Sequence, residues 1–154
     1  MLMRPQTNLS EESKVTEMPI IEKLSVEDMK SMFEWEFKFL GEILDKDAKN
    51  YHCWSHHIWL VERFNYWNNP NLMPTCDILM SMDVTNNSVW SFRYFLVIRR
   101  ADHAAKTDPS KGFNKDLVER EIEIAFGWLK QDWMNEAAWS YIRGFIALTK
   151  QEAE

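Results

Sequence analysis

The chain has 154 residues, a net charge of −6 and a composition ordinary for a globular protein except in its eight Trp and nine Phe. That length is one domain's worth of chain, long enough for a real core, and the acidic balance excludes a general nucleic-acid binder, which carries a basic face. No run reaches the roughly 18 apolar residues of a membrane-spanning helix, so neither a nucleic-acid partner nor a membrane span is expected.

Glycine is scarce, with four in the chain, and β-branched alternation is weak, so helices are expected. Cys53 and Cys76 are the only cysteines. They form no CxxC pair, and the N-terminus carries neither a secretory nor a transit pattern. A cytoplasmic, reducing location fits, with both thiols as core or interface residues rather than a disulfide.

Residues 1–24 are polar and aperiodic, and read as a flexible leader to a helical domain over 25–150. Ser25-Val26-Glu27-Asp28 is a capping start. From there Met29, Met32, Phe33, Phe37, Leu40 and Leu44 recur at three- and four-residue steps, predicting a helix to about Asp45. Asn50 opens a second helix with Trp54, Ile58, Val61 and Phe64 along one stripe. Asn65 to Pro70 closes it, because Pro70 biases Asn69 away from helix. A third helix is expected over 72–82, with Pro74 tolerated in its first turn. Asn86 or Asn87 caps a fourth, carrying Val89, Trp90, Phe92, Phe95 and Leu96 to about Arg100. Residues 101–113 read as the one long connection, with His103 isolated in it. The fifth and sixth helices are expected near 114–131 and 135–150.

One frame organises these elements. Asp47, Asn50 and Trp54 form Asp-x-x-Asn-x-x-x-Trp, which returns at Asp83, Asn86 and Trp90 and at Asp132, Asn135 and Trp139. Apolar residues precede each Asp at the same offsets: Leu40, Ile43 and Leu44, then Cys76, Leu79 and Met80, then Ala125, Trp128 and Leu129. Three frames in matching phase are an internal repeat. The repeats run near 29–67, 71–100 and 114–149, and the implied architecture is all-α, a superhelical solenoid of helical hairpins whose stacking builds one continuous core. The spacing from Trp54 to Trp90 is 36 residues and from Trp90 to Trp139 is 49, with the extra length assigned to the long connection. The tetratricopeptide pattern is absent.

Asp47-Ala48-Lys49-Asn50-Tyr51-His52-Cys53-Trp54, with Glu119-Arg120-Glu121 and Asn135-Glu136-Ala137-Ala138-Trp139 further on, resembles the protein prenyltransferase α-subunit repeat. The likeness covers about residues 34–148 and is nearest to the C-terminal portion of the α subunit shared by protein farnesyltransferase and type I geranylgeranyltransferase. The resemblance implies a crescent of hairpins around a β subunit that holds the zinc and the isoprenoid cavity. Such an enzyme joins a farnesyl or geranylgeranyl group to the cysteine of a C-terminal CaaX sequence. Zinc and magnesium are expected through the β subunit and the diphosphate, with no cofactor in this chain. Counting one period upstream lands near Lys14-Val15-Thr16, where the family's preceding Lys-Asn-Tyr-x-x-Trp repeat has no counterpart, so its catalytic lysine is not transferred to Lys49. His57 stands where the family's repeat has Arg, and Ile142 stands there in the third repeat.

By position, Asn50, Tyr51 and His52 correspond to an opening that faces the family's active site, with Lys49 adjacent. Tyr or His there can donate to a diphosphate oxygen, and the helix N-terminus adds to the attraction. These four are the candidate substrate and diphosphate-binding residues; no catalytic residue and no metal ligand is assigned. Packing outweighs ligand stacking for the three repeat tryptophans, and capping outweighs ligand contact for the three asparagines. His52 and His56 share a helix face, but no third ligand completes a metal set. Arg93, Arg99 and Arg100 are expected mostly in ion pairs. The alternative to an enzyme subunit is a non-catalytic helical-repeat protein that binds a prenyltransferase β subunit without completing its active site.

Overall fold

The computed structural model describes residues 24–151. Apart from Leu24, the expected leader lies outside the described residues. Among the described residues six α-helices follow one another: α1 Val26–Leu44, α2 Tyr51–Phe64, α3 Leu72–Met82, α4 Asn87–Thr107, α5 Lys115–Leu129 and α6 Glu136–Gln151. No strand occurs among the described residues.

Local chemistry sets the helix ends. Ser25 and Asp28 close a reciprocal capping box at the start of α1, the Asp28 N–H reaching Ser25 Oγ at 3.1 Å while Ser25 N–H donates to Asp28 Oδ2. α2 stops at Asn65, which takes the left-handed conformation at φ 54°, a region Asn tolerates better than most residues. The next amide, Tyr66 N–H, then returns to Val61 O at 3.1 Å. Pro74 is the third residue of α3, where its missing N–H is not needed.

Residues 101–113 correct the sequence expectation. α4 runs on through Thr107, and a single 3-10 turn, Pro109–Lys111, follows it. His103 is therefore a helical residue rather than a loop residue. Nothing in Ala101-Asp102-His103-Ala104-Ala105-Lys106 breaks a helix, and Ala is its best former; Asp102 also pairs with Arg99 at 3.7 Å, one turn back. The stop is Asp108, held extended by the proline after it, with its carboxylate taking the Ser110 N–H at 3.1 Å. Gly112 is needed here, because a Cβ at that position would lie 2.8 Å from Ala105 Cβ.

Each frame belongs to one hairpin: α1 packs on α2, α3 on α4 and α5 on α6. Consecutive hairpins join through their second helices, α2 on α4 and α4 on α6. The residues seven and three positions before each repeat Asp are all buried: Leu40 and Leu44, Cys76 and Met80, Ala125 and Leu129. Those four positions earlier, Ile43, Leu79 and Trp128, are partly buried against that core. The matching apolar phase is thus the seam each hairpin buries, and three hairpins share one core.

Candidate functional site

The repeat frame is a set of hydrogen bonds made three times. Asp47, Asp83 and Asp132 each accept, through Oδ1, the N–H two residues on, at 3.2, 3.0 and 3.0 Å. Asn50, Asn86 and Asn135 then cap the second helix of each hairpin, their Oδ1 accepting from Cys53, Ser88 and Ala137 N–H at 3.0 Å in each case. The indole N–H of Trp54, Trp90 and Trp139 donates back to the carbonyls of Ala48, Val84 and Trp133 at 2.9, 2.7 and 3.0 Å. The tryptophans therefore stand at equivalent points of successive hairpins, and each one staples its helix to the turn that starts it.

The same carbonyls link hairpin to hairpin. Asn86 Nδ2 donates to Ala48 O at 3.0 Å, and Asn135 Nδ2 donates to Val84 O at 2.7 Å. Each shared carbonyl uses both lone pairs, one for its own tryptophan and one for the next asparagine. This ladder brings the N-termini of α2, α4 and α6 to one edge of the array, where their helix dipoles present partial positive charge.

The four candidate residues lie on that edge at the opening of α2. Asn50 caps α2 through Oδ1. Lys49 is exposed and 3.6 Å from Asp83, an ion pair that spans the first and second openings. Tyr51, 76% exposed, is the first residue of α2, and the exposed His52 ring lies 5.6 Å from its ring in an edge-on arrangement. The amides of this first turn have no intrahelical acceptor, and the cap takes that of Cys53. A hydroxyl, an imidazole, an ammonium and a helix N-terminus thus share one solvent-facing corner. Along the same edge, a polar groove of about 500 Å³ runs beside the openings of α4 and α6 and includes Thr85, Asn87 and Ser140. Asp132 and Glu136 also line it, which makes it less hospitable to an anion than the α2 corner.

Arg93, Arg99, Arg100 and His56 are engaged within the chain. Glu121 Oε2 accepts from Arg93 Nε at 3.2 Å, Arg93 Nη2 at 3.0 Å and the Tyr141 hydroxyl at 2.8 Å, while Arg93 Nη1 reaches Asp77 Oδ1 at 2.8 Å. Burial opposes the Arg93 charge, but Tyr141, Glu121 and Asp77 more than offset it and raise its pKa. Burial, with Glu121 adding to it, drives the Tyr141 hydroxyl far above the usual phenol range. Arg100 donates to the carbonyls of Trp67 and Asn69 and so clamps the loop between α2 and α3. Arg99 pairs with Glu62 at 2.9 Å. His56 pairs with Glu36 at 3.3 Å and stacks on Trp59. Among the described residues, no three His, Cys, Asp or Glu side chains are grouped to hold a metal, and no helix is long and apolar enough to cross a membrane.

The sequence reading does not find the carbonyl ladder, because a backbone oxygen leaves no residue signature. It also misses the partners of Arg93, which are 16 and 28 positions away. Neither Asp77 nor Glu121 recurs at its position in all three repeats, so no pattern marks them.

Fold and edge together define an all-α superhelix of helical hairpins whose turns are fastened by a recurring Asp, Asn and Trp. Residues 33–64, all of α2 and most of α1, match the family model described as the protein prenyltransferase alpha subunit repeat, and the chain is a member of that repeat class. It is 40% identical over 127 residues to the protein farnesyltransferase/geranylgeranyltransferase type-1 subunit alpha of Dictyostelium discoideum, covering 82% of this chain and 35% of that protein. It is 25% identical over 104 residues to the geranylgeranyl transferase type-2 subunit alpha of Bos taurus, covering 68% of this chain and 18% of that protein. Against the corresponding Saccharomyces cerevisiae subunit it is 23% identical over 119 residues, covering 75% and 35%. The matched region thus spans about a third or less of the length of these relatives.

Proposed function

We propose that this chain serves as alpha-subunit structure in a heterodimeric protein prenyltransferase, acting in the cytoplasm. In this reading a β subunit packs against the array and holds the zinc and the isoprenoid. The α2 corner, with Lys49, Asn50, Tyr51 and His52, lines the diphosphate region. The transferred group is farnesyl or geranylgeranyl, and the acceptor is the cysteine of a CaaX sequence. Zinc bound by the partner would turn that cysteine into a thiolate, and magnesium would accompany the diphosphate. The part left to this chain is to donate hydrogen bonds to diphosphate oxygens as negative charge builds on the leaving group. Tyr51 Oη and His52 are the donors, with the dipole of α2 and the Lys49 ammonium behind them.

The supporting observation is the 40% identity to a farnesyltransferase/geranylgeranyltransferase type-1 alpha subunit, which runs over most of this chain. The test is co-expression with a prenyltransferase β subunit, followed by farnesylation and geranylgeranylation of CaaX peptides by the purified pair. A stable pair with turnover supports the proposal. A stable pair without turnover supports the alternative, a non-catalytic helical-repeat partner of the β subunit. Failure to associate removes both.

A further inference from the structure

The interface between the second and third hairpins is fastened by Arg93, Asp77, Glu121 and Tyr141. One repeat earlier, the equivalent positions counted from each Asp or Trp hold His57, Gly41, Leu72 and Phe92. The long guanidinium, both carboxylates and the phenol hydroxyl are all missing from the first interface. What remains there is an open volume. A cavity of about 150 Å³ lies among Phe37, Gly41, Trp54, His57, Cys76 and Phe92, and a Cβ added to Gly41 would meet nothing within 4 Å.

His57 is the polar group of this space. It is 3% exposed, and neither ring nitrogen has a hydrogen-bond partner among the described residues. Its ring is held by Phe37, Phe92 and Trp54, with centroids at 5.0, 5.6 and 5.7 Å, so it cannot swing out to water without breaking those contacts. A neutral imidazole offers one donor and one acceptor. A buried polar group with neither used is costly and rare. Asp45, exposed, and Thr75, half-buried, also line the space and mark its rim. A carboxylate at the rim disfavours anions.

We infer that this cavity between the first and second hairpins is a binding site for a small neutral molecule, apolar in body and carrying one hydroxyl that bonds to the His57 imidazole. An apolar protein cavity of about 150 Å³ accommodates a benzene-sized ligand, so the class is that of phenol or a short alcohol of similar bulk. The site is separate from the α2 corner and does not depend on a β subunit.

The test uses the full chain with ¹⁵N-labelled histidine. Phenol, toluene and benzoate are each titrated while the His57 ring nitrogens are followed by NMR. Phenol is expected to shift them saturably, with a dissociation constant on the order of 1 mM or tighter, as a ligand of this size allows. Toluene is expected to bind more weakly, without the nitrogen shift, and benzoate not at all. Gly41→Leu places a side chain in the open volume and improves helix propensity, so it should fold and lose phenol binding; His57→Phe should do the same by filling the space from α2. Absence of a saturable phenol shift would mean the cavity holds only water or nothing, and overturns the inference. Phenol binding that persists in folded Gly41→Leu, or that leaves the His57 nitrogens unmoved, overturns it equally.

Discussion

Asn135 Nδ2 lies 2.7 Å from Val84 O, 51 residues away in sequence. The same side chain caps α6 with its other atom, so one asparagine both starts a helix and ties its hairpin to the one before. Asn86 does the same between the second hairpin and the first. Replacing a residue with two such roles should cost more than removing a cap.

The two roles of Asn86 can be separated. Asn86→Ser keeps an oxygen for the cap and loses the amide donor, so the expected cost is roughly 1 kcal/mol, one net hydrogen bond. Asn86→Ala loses both and should cost about 2–3 kcal/mol. Chemical denaturation of the two variants checks this. Equal losses would mean the link to Ala48 contributes nothing.

Arg93 and Glu121 form a buried pair with 4% and 5% side-chain exposure. Arg93→Met strands the buried Glu121 carboxylate and should destabilise by roughly 3–5 kcal/mol, and Glu121→Gln should cost less, because Arg93 keeps Asp77 at 2.8 Å. The combination Arg93→Met, Glu121→Leu and Tyr141→Phe removes charge and hydroxyl together and should cost far less than the single changes summed, because no group is left stranded. The first interface is a natural precedent: Leu72 and Phe92 already stand at the equivalents of Glu121 and Tyr141. Thermal unfolding of the three variants tests the comparison, and strict additivity would contradict it.

What sequence reading finds here, and what it misses, divides along a physical line. Asp47, Asn50 and Trp54 are legible because each acts through its own side chain within eight positions, so the frame survives as a pattern. The hairpin architecture follows from that frame and the phase of Leu40, Cys76 and Ala125. The end of α4 is misplaced near Arg100 because Ala104 and Ala105 carry no strong periodicity, although they favour helix. The Arg93 network and the His57 cavity are invisible because their members meet only after stacking. The corner at Lys49, Asn50, Tyr51 and His52 comes from a resemblance rather than a pattern, and the structure adds its geometry: one capping residue and three exposed side chains.

His57 makes a prediction about acid. Burial, with the charge of His56 adding to it, lowers its pKa from 6.5 to about 4. Between those values the unfolded chain binds a proton that the folded chain refuses, so stability is full above pH 6.5 and falls as pH drops toward 4. The loss over that window approaches about 3 kcal/mol at the usual 1.36 kcal/mol per pKa unit. His57→Phe should flatten this part of the stability profile while Arg93→Met leaves its slope in place. Urea denaturation across the window measures it, and an unchanged slope in His57→Phe would rule out the buried neutral imidazole as its source.

The last prediction concerns the α2 corner and follows from its exposure. Tyr51 and His52 face solvent, and substitutions at such positions usually move stability by less than about 0.5 kcal/mol. Tyr51→Phe and His52→Ala should therefore leave the unfolding midpoint unchanged, and, if the corner lines the diphosphate region as proposed, the affinity for a β subunit as well. If their hydroxyl and imidazole meet the diphosphate as it departs, each change should lower kcat in the assembled enzyme, by up to roughly 100-fold for the loss of one donor aimed at developing charge. KM for the peptide should move little, because the donor acts on the leaving group and not on the acceptor. Steady-state kinetics with a CaaX peptide, beside a binding assay for the β subunit, distinguishes the outcomes. Parallel loss of assembly and turnover would assign the corner to the subunit interface, and unchanged kinetics would remove it from the diphosphate site.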